Sequence, residues 1–155
     1  MLSDIVLWMF VVCNGVAVGA GLYELRVNVP RWFPPIRGTA RSVNVEAITG
    51  DDSGRRFWGY ATTVPLTLLT LASCVIVSNP VTARERWWLA GAAVMLVERV
   101  ATFGYFIPTL LKLLQSERWS AEKAEHAARH WIRRNYMRSV FAVVGWLAAL
   151  RALSL

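Results

Sequence analysis

The sequence predicts an all-α integral membrane protein, a four-helix bundle whose fourth helix extends beyond the bilayer. Of the 155 residues, 55% are hydrophobic and only 17% are charged, whereas soluble domains average roughly 25% charged residues. The mean hydropathy is +0.40. Four apolar segments reach or nearly reach the roughly 20 residues that a helix needs to cross a bilayer. In a single domain covering 1–155, we place the spans at 5–29, 58–78, 87–114 and 136–153.

The ends of the first three spans carry the expected signals. The first span has no charged residue between Asp4 and Glu24, and no basic segment precedes it. We therefore interpret it as a retained helix and not as a cleaved signal peptide. We place the start of the second and third spans at Trp58 and Trp87, because tryptophan is typical of the headgroup boundary.

The fourth helix is expected to begin well before its span. Ser120 is a good N-cap residue, and residues 121–128 are mostly strong helix formers. We expect this helix to run without a break into the fourth span, as one helix of about 34 residues, or ~50 Å at 1.5 Å per residue. Such a helix must project beyond the bilayer or bend.

Lysine and arginine are distributed unequally between the two ends of the spans. The end with both termini and loop 79–86 carries only Arg84, Arg86 and Arg151. Because positive charge is retained in the cytoplasm, we expect both termini outside and both long loops inside, against anionic lipid headgroups. The sequence has no basic domain apart from the membrane spans, so it does not indicate nucleic-acid binding. The basic residues at the cytoplasmic end are Arg26, Arg31, Arg37, Arg41, Arg55, Arg56, Lys112, Arg118, Lys123, Arg129, Arg133 and Arg134.

The first long loop, residues 30–56, is longer than a simple connection between two helices. Trp32 and Phe33 lie among its prolines. These aromatic residues fit a membrane-surface anchor, which we favour, or a lid that closes over a pocket.

Ionisable residues inside the spans are costly in hydrocarbon and are therefore candidate functional residues. Glu98, Arg99 and Asn14 lie within roughly 5 Å of the span centres, and Glu24 and Arg138 lie roughly 10–12 Å toward the cytoplasm. Neighbours on a helix point about 100° apart, so Glu98 and Arg99 are expected to pair poorly with each other. Depth instead predicts the pairs Glu98–Asn14 and Glu24–Arg138. Either a reaction site or an ion-pair lattice that fixes helix register would explain these residues.

Metal and thiol chemistry have little support in the sequence. His126 and His130 share a helix face at a spacing that suits two metal ligands, but basic neighbours disfavour a cation. We predict a solvated helix face and no metal site. Cys13 and Cys74 are isolated, which argues against thiol–quinone oxidoreductases with paired cysteines. The sequence identifies no cofactor.

Short motifs in all four spans form one pattern. They are GLYE at 21–24, VPRW at 29–32, RFW at 56–58, PLTLLTL at 65–71, ERVATFGYFIPT at 98–109, WxxxNYxR at 131–138 and WLAALR at 146–151. The pattern resembles the anthrone-oxygenase-like family of small four-helix bacterial membrane proteins, and it covers most of the chain. The resemblance implies a multi-pass protein of the bacterial inner membrane.

For the fungal polyketide branch of the family, the resemblance implies oxidation of an anthrone to an anthraquinone by O₂ without a standard organic cofactor. Two positions depart from the family pattern. Thr109 stands where Asn often follows the proline, and Asn135 lies near a position where His is common. If that His is the catalytic base, this chain lacks it, so another substrate or no catalysis also fits.

The leading hypothesis is a lipid-accessible pocket for a flat phenolic or quinone-like molecule. Glu98 or Glu24 would accept a proton, and Arg99 or Arg138 would stabilise the resulting enolate or phenolate. The alternatives are a small carrier of lipophilic substrates and a non-catalytic structural or accessory subunit, and the oligomeric state stays open. The candidate substrate-binding residues are Tyr105, Asn135, Asn14 and Trp131.

Overall fold

The structure, a computed structural model, describes residues 1–36, 38, 40–51 and 54–155. Arg37, one of the basic residues of the first loop, lies outside them. The chain is all-helical, with 84% helix and no strand in the described ranges. A single backbone bridge joins Pro35 to Arg41 in the first loop.

Four long helices correspond to the four predicted spans, and each is long and apolar enough to cross a membrane. Their outward-facing side chains are largely apolar: Leu68, Val97 and Val140 are 62%, 62% and 63% exposed. Such surfaces suit contact with lipid. The helices are α1 (Leu2–Trp32), the short α2 (Val45–Gly50), α3 (Arg56–Ile76), α4 (Ala83–Leu113) and α5 (Ala121–Leu153).

Side-chain caps begin both α4 and α5. At α4, the Thr82 hydroxyl accepts from the Glu85 amide at 3.2 Å, and the Glu85 carboxylate accepts from the Thr82 amide at 2.9 Å. This capping box satisfies backbone donors that the helix leaves free. At α5, the Ser120 hydroxyl accepts from the Lys123 amide at 3.3 Å. The predicted single long helix is confirmed, with 33 residues.

Three of the four long helices contain a π-helical segment just before a proline. In each, the proline is the second residue of the α-helical turn that follows. Proline lacks an N–H and its ring collides with the carbonyl four residues earlier, so a locally widened turn accommodates it. By contrast, α5 has no proline and is α-helical throughout. The segments are Glu24–Asn28 before Pro30, Gly54–Thr63 before Pro65 and Thr102–Phe106 before Pro108.

The helices contact one another in sequence order. The most extensive contact joins α4 to α5, while α1 packs against α3 and α5, and α3 packs against α4. Short connections join α3 to α4 and α4 to α5, as is typical of antiparallel neighbours in helical proteins, whereas the long first loop joins α1 to α3. The contact between α4 and α5 positions the polar residues considered next.

Two apolar clusters form the interior. One is built around Phe10, Leu66 and Met95, and the other around Phe33 and Trp131. Along α1, α4 and α5, buried polar residues come between the stretches that belong to the two clusters. A polar layer therefore separates two apolar regions.

The structure corrects the expectation for Trp32 and Phe33. Both side chains are buried, and their ring centroids lie 6.3 Å and 5.4 Å from that of Trp131. They anchor the end of α1 to α5 within the protein and do not lie on the membrane surface. Burial of large aromatic area against Trp131 outweighs partial exposure at an interface.

Candidate functional site

Glu98 and Arg99 form a buried ion pair, so the expectation that these neighbours would pair poorly is wrong. Arg99 Nε donates to Glu98 Oε2 at 2.6 Å, and Arg99 Nη2 contacts the same oxygen. The long arginine side chain bends back around the helix and spans the angular separation. Thr102 Oγ1 donates to the other oxygen, Glu98 Oε1, at 3.0 Å. Both oxygens of the carboxylate therefore have partners.

Arg138 of α5 lies between two carboxylates. Its Nη2 is 3.7 Å from Glu24 Oε1, and its Nε is 3.8 Å from Glu98 Oε1. The Glu24–Arg138 pair confirms the pairing predicted from depth. Together with Arg99, these residues form a cluster of two carboxylates and two guanidinium groups. The formal charges of the cluster are therefore balanced in the protein interior, where unpaired charges would be costly. We call Glu24, Glu98, Arg99 and Arg138 the ionic cluster.

Local helix geometry places the acids of the cluster. Glu24 is the first residue of the π-helical segment in α1, and Thr102, which donates to Glu98, is the first residue of the segment in α4. A π-helical turn changes the direction of the side chains on either side of it. Glu24 thus lies where α1 departs from regular α geometry, whereas Glu98 lies in the last regular α-helical turn before the segment in α4.

A cavity of about 240 Å³ lies between α4 and α5 beside the ionic cluster. Its lining residues include Glu98, Arg134 and Arg138 together with the rings of Tyr105 and Phe106, and its exposed surface is nearly all apolar. The Arg134 guanidinium lies 4.5 Å from the Tyr105 ring centroid, and that of Arg138 lies 4.8 Å from Phe106. These cation–π contacts fix aromatic rings and positive charge together.

The outer rim of the cavity is apolar. Val97, Met137 and Phe141 line it and are 62%, 54% and 47% exposed. The cavity therefore opens on the apolar outer surface of α4 and α5. A lipophilic molecule could approach it from a surrounding bilayer.

The remaining predicted binding residues lie in different places. Tyr105 lines the cavity, but Asn14 donates to its own helix, at Phe10 O, over 2.7 Å. The predicted Glu98–Asn14 pair is wrong because Asn14 satisfies a backbone carbonyl and Glu98 bonds to Arg99 and Thr102.

Asn135 and Trp131 are buried next to the site and do not line the cavity. Asn135 is fully buried beside the Glu24 carboxyl, although neither amide atom has a hydrogen-bond partner among the described residues. Trp131 Nε1 donates to Phe106 O at 3.3 Å. Trp131 thereby holds the backbone of the cavity wall and does not line the cavity itself.

Sequence reasoning missed three contributors: Thr102, Arg134 and Phe106. Two of them carried a usable signal, since Thr102 is four residues after Glu98 and Arg134 is four residues before Arg138. Residues at this spacing share a helix face. Nothing in the sequence indicated Phe106, whose ring contacts Arg138 across two helices.

No metal centre is evident in the part of the chain that the structure describes: it contains no group of three His, Cys, Asp or Glu residues arranged to hold an ion. The ring nitrogens of His126 and His130 lie 3.1 Å apart and contact each other. Cys13 and Cys74 are free thiols that pack against the apolar cluster around Phe10.

The arrangement has the components for proton transfer beside an apolar cavity. A carboxylate can accept a proton, and adjacent guanidinium groups can stabilise an anion. Comparisons with protein-family models, curated proteins and solved structures give no match to this chain.

Proposed function

We propose that this integral membrane protein binds a flat, lipophilic phenol or anthrone and oxidises it with O₂. One observation carries the proposal: Glu98, Arg134 and Arg138 are among the lining residues of a cavity whose exposed surface is nearly all apolar. Small-molecule sites combine apolar walls with a few converging polar groups. At about 240 Å³, the cavity is below the usual range of ~300–1,000 Å³, so it suits a small ligand.

The proposed reaction begins with proton transfer to Glu98. An anthrone has an acidic CH₂ group, and removal of one proton leaves an enolate whose oxygen Arg138 stabilises. O₂ then acts as the oxidant. In the overall balance the CH₂ becomes a C=O, one oxygen atom enters the product, and the other leaves as water with both hydrogens. The motif resemblance to anthrone-oxygenase-like proteins supports this substrate class.

Arg99 and Thr102 act as positioning residues in this proposal. They hold the two oxygens of Glu98 at 2.6 Å and 3.0 Å, which fixes the carboxylate relative to the cavity. Tyr105 provides an aromatic wall for stacking. The guanidinium groups of Arg134 and Arg138 favour an anionic ligand and disfavour a cationic one.

The test is oxygen uptake by detergent-purified protein supplied with a panel of anthrones and hydroquinones. Glu98→Gln keeps the size of the side chain and removes the base, so we expect uptake to fall by about 10²-fold or more. The matched control is Glu117→Gln, at an exposed position, which should leave uptake unchanged. Binding of anthraquinone, measured by quenching of tryptophan fluorescence, reports on the cavity separately.

Distinct results separate the parts of the proposal. Anthraquinone binding without uptake in folded wild-type protein would reject the oxygenase reaction but retain the binding site. Neither binding nor uptake would reject both.

A proton-coupled carrier is the second candidate, favoured by the position of Arg138 at nearly equal distances from Glu24 and Glu98. Protonation of one carboxylate would release Arg138 toward the other, and such a shift could couple proton binding to substrate movement. Proton flux in proteoliposomes that depends on an added lipophilic phenol, and is lost in Glu24→Gln, would favour the carrier. Uptake of O₂ without flux would favour the enzyme.

We further propose that both termini face outward and that the first loop and the start of α5 face the cytoplasm. The excess of arginine and lysine at that end supports this orientation. In a variant without Cys13 and Cys74, a cysteine at Ser154 should react with an impermeant thiol reagent in intact cells. A cysteine at Glu117 should react only after permeabilisation, and the reverse pattern would overturn the orientation.

A further inference from the structure

A second, larger recess lies beside the N-terminal half of α5. It has a volume of about 700 Å³ and shares no lining residue with the cavity next to Glu98. The first loop contributes Arg41, and α5 contributes the rest of the polar lining. We call this recess the basic groove and define it by Arg41, His126, Arg129, His130, Arg133 and Tyr136.

The groove has an excess of positive charge. Arg129 Nη2 pairs with Glu125 Oε1 at 2.9 Å. Among the described residues, neither Arg41 nor Arg133 has an ion-pair partner. Two guanidinium groups from separate elements thus line one recess, and no acid in the part of the chain that the structure describes pairs with either.

Arginine pairs of this kind suit phosphate. The guanidinium group has a planar set of N–H donors that matches the oxygens of a phosphate, often with two parallel hydrogen bonds. His126 and His130 also line the groove, where their Nε2 atoms contact each other at 3.1 Å. A phosphate group could therefore receive donors from the loop and from α5 together.

The position of the groove along α5 indicates which kind of phosphate compound would bind there. The distance from His126 to Tyr136 is about 15 Å along the helix at 1.5 Å per residue. Tyr136 is 51% exposed and stands at the start of the apolar part of α5, a typical place for tyrosine at the headgroup boundary. Arg133, three residues before Tyr136 in the same helix, is therefore expected at the level of lipid phosphates.

We infer that the basic groove binds the phosphate group of an anionic phospholipid. Arg41 and Arg133 are the principal ligands, and Tyr136 contacts the lipid at the boundary with the acyl chains. Bound lipid would link the first loop to α5. This site does not depend on the proposed oxidation, because it shares no residue with the ionic cluster.

The test measures lipid binding by the purified full-length protein in detergent. Dioleoyl phosphatidylglycerol is titrated against the protein, with dioleoyl phosphatidylcholine as the zwitterionic reference, and bound lipids are counted by native mass spectrometry. The variant is Arg41→Gln with Arg133→Gln. The control, Arg31→Gln with Arg118→Gln, removes the same charge from exposed positions outside the groove.

We expect wild type and control to retain phosphatidylglycerol. The affinity of the groove variant for this lipid should be lower by about tenfold or more. Equal weakening in both variants would show diffuse attraction and overturn the specific site. A competition arm with inorganic pyrophosphate distinguishes the source of the phosphate. If pyrophosphate binds in a way that depends on Arg41 and Arg133 while phosphatidylglycerol does not, the lipid assignment is overturned in favour of a soluble phosphate compound.

Discussion

Gly91 on α4 and Gly145 on α5 bring the two helix backbones into direct contact. A Cβ atom at Gly91 would lie 2.9 Å from the Gly145 carbonyl oxygen, and one at Gly145 would lie 2.9 Å from Met95 Sδ. Small residues allow such close approach between helices in a membrane, where packing contributes much of the association energy. This contact joins the two helices that carry Glu98 and Arg138.

Gly91→Ala should destabilise the protein because the new methyl group meets backbone that cannot move aside. We expect a loss of about 1–3 kcal/mol, as for overpacking elsewhere, measured as unfolding in detergent. Gly19→Ala is the control, since a Cβ there has nothing within 4 Å, and alanine favours helix over glycine. Equal destabilisation by the two substitutions would contradict the close-contact explanation.

Arg138→Met should be far more damaging than Arg84→Met. Loss of Arg138 leaves Glu24 and the Arg138-facing oxygen of Glu98 without a positive partner, and breaking a buried pair typically costs about 3–5 kcal/mol. Arg84 Nη2 contacts Asp4 Oδ1 at 2.7 Å, but both side chains are partly exposed, so water replaces that contact cheaply. Thermal unfolding of the two variants checks the order. A larger effect of Arg84→Met would contradict the burial argument.

Trp131→Phe should lower stability by about 1–2 kcal/mol, because it removes the buried hydrogen bond from the indole to the Phe106 carbonyl. It also removes packing against Trp32 and Phe33. Trp87→Phe, at a position 46% exposed, controls for the general loss of a tryptophan. Chemical unfolding followed by circular dichroism measures both, and indistinguishable midpoints would reject the anchoring role of Trp131.

Pro108→Ala tests the link between the π-helical segment and the cavity. The restored N–H allows regular α-helical hydrogen bonding, so Thr102–Phe106 should tighten. Tyr105 and Phe106 would then rotate relative to the cavity, and we expect anthraquinone binding to weaken about tenfold, the equivalent of one aromatic contact. Pro80→Ala, in the connection between α3 and α4, should leave binding unchanged. An unaltered affinity of Pro108→Ala for anthraquinone would contradict the claim that the π-helical segment determines the shape of the cavity.

The candidate site was partly readable from the sequence. Glu24, Glu98, Arg99 and Arg138 stand out because charged residues are rare within apolar spans, and the axial rise per residue predicts the Glu24–Arg138 pair. Depth alone does not specify which way a side chain points. For that reason the same argument paired Glu98 with Asn14 and separated Glu98 from Arg99.

The sequence by itself determined the helical class, the four apolar segments and the single long α5, because composition, apolar length and the Ser120 cap act within each segment. Only the tertiary structure decided which residues meet. Helix rotation and the backbone contact at Gly91 depend on packing between segments distant in the chain, whereas the widened turns accompany the local residues Pro30 and Pro108. Packing of this kind brings Arg138 between two acids and buries Trp32 and Phe33 against Trp131.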